Sequence, residues 1–230
     1  MKTQTDEVQN SAGAHAKGTV FVVDDDTQVR RSIEQLGKSV GLNVVTFASA
    51  SEFLNCDLGD VTGCLVTDVR MPEMNGLEFQ THLMKSDFRL PIIVITGYAE
   101  VPMAVQALKA GAFDFIQKPF QPRALVEIIQ RAIELDAKQR NQKEQLSEIR
   151  SRLASLSPRE SEVLKLLVGG KTTKRIAARL KISPTTVDFH RNNILGKMCV
   201  DNLVELTRAI DLSELAGGES GEAVNTLRRV

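Results

Sequence analysis

Two kinds of hydrophobic spacing divide the chain. From Thr19 to about Ala132 short apolar runs recur: Val20-Phe21-Val22-Val23, Val44-Val45, Cys64-Leu65-Val66, Ile92-Ile93-Val94-Ile95 and Phe113 to Ile116. Between them lie segments such as Val29 to Val40 and Met103 to Ala110, whose apolar residues return every three or four positions. The runs read as strands and the segments between them as amphipathic helices. Five strands alternating with helices predict an α/β fold, a doubly wound five-stranded parallel sheet covered on both faces. From Leu156 to Leu212 no strand pattern occurs, and Gly169-Gly170 and Ser183-Pro184 cut an all-α segment into short helices.

Local signals place those helices. Ser157-Pro158-Arg159-Glu160 reads as a helix start, with Ser157 as cap, Pro158 at the first helical position and Glu160 closing a capping box. That helix is expected to run to Val168. A second, about Thr173 to Leu180, buries Ile176, Ala177 and Leu180, and Ser183-Pro184 starts a third after a turn of helix-turn-helix length. Between the two patterns, residues 136–155 are mostly polar or charged, without Gly or Pro. Leu146, Ile149, Leu153 and Leu156 form a partial stripe there, continuing Ile133 and Leu135. The expectation is a linker helix, either solvated or pairing weakly with a copy of itself.

The domains are therefore placed at 18–135 and 156–215, with disordered polar tails at 1–17 and 216–230. A length of 230 residues with 42% hydrophobic content suits two packed cores. The formal net charge is zero, but it is not evenly spread. Gly18 to Leu135 holds ten Lys/Arg against fifteen Asp/Glu, whereas Leu156 to Cys199 holds nine against three. An acidic domain followed by a basic one suits an anionic-ligand or metal site followed by a phosphate-backbone binder. Cys56, Cys64 and Cys199 have neither disulfide nor zinc spacing and read as reduced thiols. No apolar run is long enough to span a bilayer, so no membrane role and a cytoplasmic location are expected.

In a doubly wound sheet, ligands gather at the carboxyl ends of the strands. The residues there are Asp24-Asp25-Asp26, Asp68, Thr96 and Lys118. Asp26 also reads as a simple helix cap. Clustered carboxylates need a cation to stay ionised together, and hard oxygen ligands suit Mg²⁺. An Asp carboxylate can itself accept a phosphoryl group.

Four segments in order, Val22-Val23-Asp24-Asp25-Asp26, Val66-Thr67-Asp68-Val69-Arg70-Met71-Pro72-Glu73-Met74-Asn75-Gly76, Val94-Ile95-Thr96-Gly97 and Ile116-Gln117-Lys118-Pro119-Phe120, resemble a complete receiver domain of the CheY type. The resemblance implies that Asp68 is the phosphoacceptor and that a sensor histidine kinase is the donor. It also implies that Asp25, Asp68 and the Arg70 carbonyl bind Mg²⁺, with Asp24 acting through water. Thr96 and Lys118 would hold phosphoryl oxygens, Phe115 would follow Thr96 on switching, and the Lys118-Pro119 bond would be cis. The run from Gly97 to Val105 resembles the FixJ branch, whose corresponding face dimerises on phosphorylation. Tyr98 is bulky enough to shield an acyl phosphate from water, which predicts a long-lived phosphorylated form.

On the third helix of the basic segment, Val187, Ile194 and Met198 share one side, and Thr185, Asp188, Phe189 and Asn192 the other. The second side is the expected reading face. Asn192 can bond an adenine edge twice, Thr185 and Phe189 can touch a thymine methyl, and Asp188 can accept from cytosine. Lys174, Arg175, Arg191 and Lys197 are expected on the phosphate backbone. His190, near the edge of the buried stripe, reads equally as a packing residue and as a phosphate contact. Leu156 to Leu164, Lys174 to Ala177 and Ser183 to Arg191 together resemble the LuxR/FixJ-type helix-turn-helix. That resemblance implies a transcriptional regulator, not an enzyme, that dimerises to bind promoter DNA and works with RNA polymerase.

Three other readings compete. Gly169-Gly170-Lys171-Thr172 resembles the end of a P-loop, but the motif needs glycine at position 165, where the chain has Lys165. Aspartyl-phosphate hydrolases place a second Asp where this chain has Arg70. Helices binding protein or RNA are the third, against which the compact basic segment and turn spacing favour duplex DNA.

Overall fold

The computed structural model describes residues 18–86, 88–97 and 101–215. Both expected disordered tails, and Tyr98 with its proposed shielding role, lie outside the described residues. The chain forms two compact units, divided between Arg140 and Asn141.

In the first unit, β1 (Thr19–Val23), β2 (Asn43–Phe47), β3 (Gly63–Asp68), β4 (Ile92–Thr96) and β5 (Asp114–Gln117) alternate with helices. The helices are α1 (Thr27–Ser39), α2 (Ala50–Leu54), α3 (Gly76–Met84), α4 (Val101–Lys109) and α5 (Pro122–Ala154). The strands form one parallel sheet in the order β2-β1-β3-β4-β5, as the alternating pattern predicted. Strand residues alternate between two cores because successive side chains point to opposite faces. Phe21, Val23, Leu65 and Val94 pack with Phe53, Phe79 and Ala107, while Val20, Val22, Cys64, Val66 and Ile93 pack with Ile33, Leu125 and Ile129. Sheets of this kind place function where the strand order reverses, here between β1 and β3. Val23 pairs with Thr67, so Asp24 and Asp68 follow on neighbouring strands.

The linker expected over 136–155 is not a separate element. It continues α5, and its apolar stripe is divided between the two cores. Ile133 packs into the sheet unit, whereas Ile149, Leu153 and Leu156 pack into the helical one. Asp136, assigned by sequence to the linker, is 1% exposed and accepts from the Gly63 N–H at 2.9 Å and from Arg140 Nε at 2.9 Å. Arg140 also pairs with Asp60.

The second unit contains α6 (Pro158–Val168), α7 (Thr173–Leu180), α8 (Pro184–Met198) and α9 (Leu203–Leu215). Ser157 and Glu160 form the expected capping box on α6, and Ser183 caps α8 ahead of Pro184. Lys181 takes a left-handed conformation with φ 54°, ending α7 and turning the chain into α8. The helix α9 was not foreseen, although its Leu206 and Ile210 complete the core around Val163, Leu164, Ile176, Val187 and Ile194. Gly169-Gly170 joins two helices rather than a strand to a helix, which removes the P-loop reading.

Candidate functional site: a strand-end acidic cradle and a basic helical face

The carboxyl ends of β1, β3, β4 and β5 bring Asp24, Asp68, Thr96 and Lys118 together. Asp24 is 1% exposed, Asp68 5% and Thr96 fully buried. Lys118 Nζ donates to Asp24 Oδ2 and to Asp68 Oδ1, each at 2.7 Å. The Lys118-Pro119 bond is cis, and the Lys118 N–H donates to the Thr96 carbonyl at 2.7 Å. The Arg70 N–H holds the other Asp68 oxygen at 2.6 Å, and Asp26 N–H holds Asp24 Oδ1 at 2.9 Å.

Burial sets the electrostatics. It is the largest influence on Asp24 and pushes its carboxyl above the usual carboxylate range, with Lys118 countering only part of the effect. Burial likewise opposes the Lys118 charge, but its bonds to Asp24 and Asp68 more than offset this and raise its pKa.

Gly76 explains the end of the Asp68 segment. A Cβ there would lie 2.0 Å from the Asp68 carbonyl oxygen, so only glycine lets α3 begin against the acceptor's backbone. Asn75 caps that helix through the N–H groups of Leu77 and Glu78, with Glu78 completing a capping box.

The three acidic residues are not equivalent. Asp24 and Asp68 share Lys118, while Asp25 is exposed and lines a cavity of about 560 Å³ together with Arg70 and Asn75. Among the described residues no three His, Cys, Asp or Glu side chains form a ready-made metal cage. The cation already between two of the carboxylates is the Lys118 ammonium. The donors nonetheless fit a hard divalent ion, because Asp25 offers an exposed carboxylate on a cavity that Val69 and Arg70, the residues following Asp68, also line. Phe115 is half-buried against the core that contains Phe79 and Ala107. Asp26 caps α1, accepting from the Gln28 N–H at 2.7 Å.

One residue of this region was missed by sequence reasoning. Arg30 Nη1 donates to the carbonyls of Asp24 at 2.6 Å and Asp25 at 3.0 Å, and Nη2 donates to Thr27 Oγ1 at 3.0 Å. The available signal was a cation one helical turn beyond the acidic triplet.

In the helical unit α8 buries Val187, Ile194 and Met198 and exposes Thr185, Asp188, Phe189 and Asn192, the two faces expected from their spacing. Lys174 and Arg175 are exposed and Arg191 is half-buried. None of these three forms an ion pair among the described residues. Asp188 accepts a long hydrogen bond from Thr173 Oγ1 at 3.4 Å, tying α8 to the start of α7.

Lys197, expected on the phosphate backbone, also has partners within the fold. It donates to Glu160 Oε2 at 2.7 Å and to the Ser155 carbonyl at 3.3 Å, so in this fold it joins α8 to the capped start of α6. This bond, with the Ser157 N–H, holds the Glu160 carboxyl down at about 2. His190 is half-buried, with Nδ1 out of solvent and unpaired and its ring edge-on to Phe189 at 5.8 Å. That placement gives the ring a packing role whatever else it touches.

A strand-end cradle of buried carboxylates, hydroxyl and lysine, followed by a helix-turn-helix with a basic outer face, defines a receiver joined to a DNA-binding domain. Comparison with known proteins gives the same division. Residues 20–130 match the response regulator receiver domain, and residues 154–210 match the bacterial regulatory proteins of the luxR family. Nodulation protein W of Bradyrhizobium diazoefficiens is 43% identical over 204 residues, covering 89% of this chain and 88% of that one. The transcriptional regulatory protein FixJ of Azorhizobium caulinodans is 42% identical over 197 residues, covering 86% and 93%. The solved structure of the response regulator StyR superposes with a TM-score of 0.79 at 41% identity, covering 85% of this chain and 99% of that one. The chain belongs to the response regulators that join a receiver to a LuxR-type helix-turn-helix, and it is a phosphorylation-dependent transcriptional regulator. Among the described residues no helix is long and apolar enough to cross a membrane.

Proposed function

We propose that Asp68 is the phosphoacceptor, receiving the phosphoryl group from a sensor histidine kinase, and that phosphorylation leads this protein to pair and to engage promoter DNA. The observation that carries this reading is the Lys118 ammonium at 2.7 Å from both Asp68 and Asp24, two buried carboxylates at the strand ends. In the transfer an Asp68 carboxylate oxygen attacks phosphorus, a new P–O bond forms as the bond to the donor breaks, and the electron pair leaves with the donor. Lys118 and the Thr96 hydroxyl then bind phosphoryl oxygens, which exchanges one anionic partner of the lysine for another. Mg²⁺, held by Asp25, Asp68 and the Arg70 carbonyl with Asp24 through water, would neutralise charge on the transferring oxygens. Phe115, on the strand whose Gln117 pairs with Thr96, would carry the change outward.

The pairing surface is α4. Val101, Val105 and Leu108 are 78%, 42% and 48% exposed and fall on one helical face. An apolar stripe left in water is a surface for a partner, here a second copy. Lys174, Arg175 and Arg191 then supply phosphate contacts, and Thr185, Asp188, Phe189 and Asn192 read bases, in the cytoplasm and in concert with RNA polymerase.

Labelled acetyl phosphate with Mg²⁺ tests the chemistry: stable label is expected on wild type and none on Asp68→Ala. Label that persists on Asp68→Ala moves the acceptor elsewhere. Analytical ultracentrifugation with beryllofluoride tests the pairing, and wild type that stays monomeric defeats it.

A further inference from the structure

The turn after β1 sets three carboxylates in succession, of which the first and third take donors from the fold and the second faces the cavity. The Asp24 carboxylate takes Lys118 and the Asp26 N–H, and the Asp26 carboxylate takes the Gln28 N–H. That leaves the main-chain oxygens of Asp24 and Asp25. A single Arg30 nitrogen reaches both, at 2.6 and 3.0 Å, while its other terminal nitrogen reaches Thr27 Oγ1 at 3.0 Å. The Arg30 N–H also donates to the Asp26 carbonyl at 3.1 Å, so the residue is anchored to the same turn at both ends.

We propose that Arg30 is a positioning residue for the phosphorylation site: its guanidinium fixes the acidic turn so that the Asp25 carboxylate can meet a divalent cation beside Asp68. The inference rests on the reading of Asp68 and Mg²⁺ given above. Arg30 does not touch the reacting atoms and acts through the backbone of Asp24 and Asp25. With both carbonyls held on the α1 side, the Asp25 side chain lines the cavity shared with Arg70 and Asn75. Loss of groups that orient metal ligands typically weakens metal affinity about 10–100-fold.

The charge and the shape of Arg30 pull in opposite directions, which makes the idea decidable. As a bare positive charge it repels a cation, so its removal would tighten binding. As a planar fork it orients ligands, so its removal loosens binding, and lysine, a point charge without the fork, does not replace it.

The experiment is calorimetric titration of the full chain with MgCl₂ alone, comparing wild type, Arg30→Lys, Arg30→Gln and Thr27→Val. The expected dissociation constant rises roughly tenfold in both Arg30 variants and less, in the same direction, in Thr27→Val. Thermal unfolding without Mg²⁺ checks that each variant is folded, and if Arg30→Gln is not, the other two carry the test. Phosphorylation by acetyl phosphate should need a correspondingly higher Mg²⁺ concentration for half-maximal rate, with the saturated rate changed less than about twofold, since ligand orientation is what is lost. Arg30→Lys binding Mg²⁺ as tightly as wild type, or Arg30→Gln binding more tightly, overturns the positioning role alone. Wild type that takes up no Mg²⁺ and is labelled on Asp68 in excess chelator overturns the metal reading, and this inference with it.

Discussion

The two units handle charge in opposite ways. In the receiver, Lys118 lies 2.7 Å from two carboxylates that are themselves almost completely buried. On the helical unit, Lys174 and Arg175 stand in solvent without an ion pair among the described residues. A group that changes covalently must be desolvated and surrounded beforehand, because that environment stabilises charge as it moves. A surface that meets a polyanion gains by keeping its cations hydrated and free until counterions leave the nucleic acid. The receiver therefore carries a standing electrostatic cost in Asp24.

The largest effect expected from this contrast is on base recognition. Asn192→Ala should cost about 1–3 kcal/mol of discrimination at one base pair. Arg175→Gln should instead weaken all duplexes alike and lower the salt slope by about 1. Anisotropy titrations across salt and sequence separate the two, and an Asn192→Ala variant that weakens every duplex equally erases the distinction between reading and anchoring residues.

A smaller effect measures the cost in the cradle. The folded pKa of Asp24 lies above its ordinary value, so the stability it contributes is present below about 3.8 and is lost as pH rises through the folded pKa. Asp24→Asn keeps a neutral group there at every pH and leaves Lys118 with Asp68. The variant should be more stable than wild type at pH 7, with the gap closing as pH falls. Denaturant unfolding at several pH values reads this, and equal stability at pH 7 shows that Lys118 compensates Asp24 in full.

The smallest concerns Lys197, a cation of the basic unit that is paired rather than free in solvent. Lys197→Gln should lower the stability of the helical unit by less than about 1 kcal/mol, since the pair is partly open to water. The Glu160 carboxyl is depressed from 4.5 to about 2, so the contribution is complete above pH 4.5 and is lost as pH falls toward 2. The salt slope of DNA binding should not move, and a slope reduced by about 1 would return Lys197 to the phosphate contacts.

What could be read from the chain follows the range of the interactions. The strand ends were legible because short apolar runs stop at Asp24, Asp68, Thr96 and Lys118, and parallel order brings such ends together. The helix starts were legible because Ser157 and Ser183 each precede a proline and cap locally. The fate of the α5 stripe was not, because helical spacing shows that Ile133 and Ile149 are buried without naming the core that buries them. Lys197 stood on the exposed side of its helix, and its partner Glu160 had already been assigned to a cap 37 residues earlier. Arg30 was overlooked because its acceptors are main-chain oxygens, so that its place one helical turn after the acidic triplet was the sole local clue. The start of α9 was overlooked although Asn202, with Glu205 three residues on, marks it: the Glu205 N–H donates to Asn202 Oδ1 at 3.0 Å.

The three cysteines give the protein built-in handles for spectroscopy. Cys64 is buried in the sheet, and burial pushes its thiol up to about 12, which leaves it inert to alkylating dyes. Cys56 and Cys199 are exposed, one in each unit. A thiol-reactive donor and acceptor dye would thus mark the receiver and the end of the α8 helix in the natural sequence, so that a signal passing from one unit to the other could be followed as a change in energy transfer.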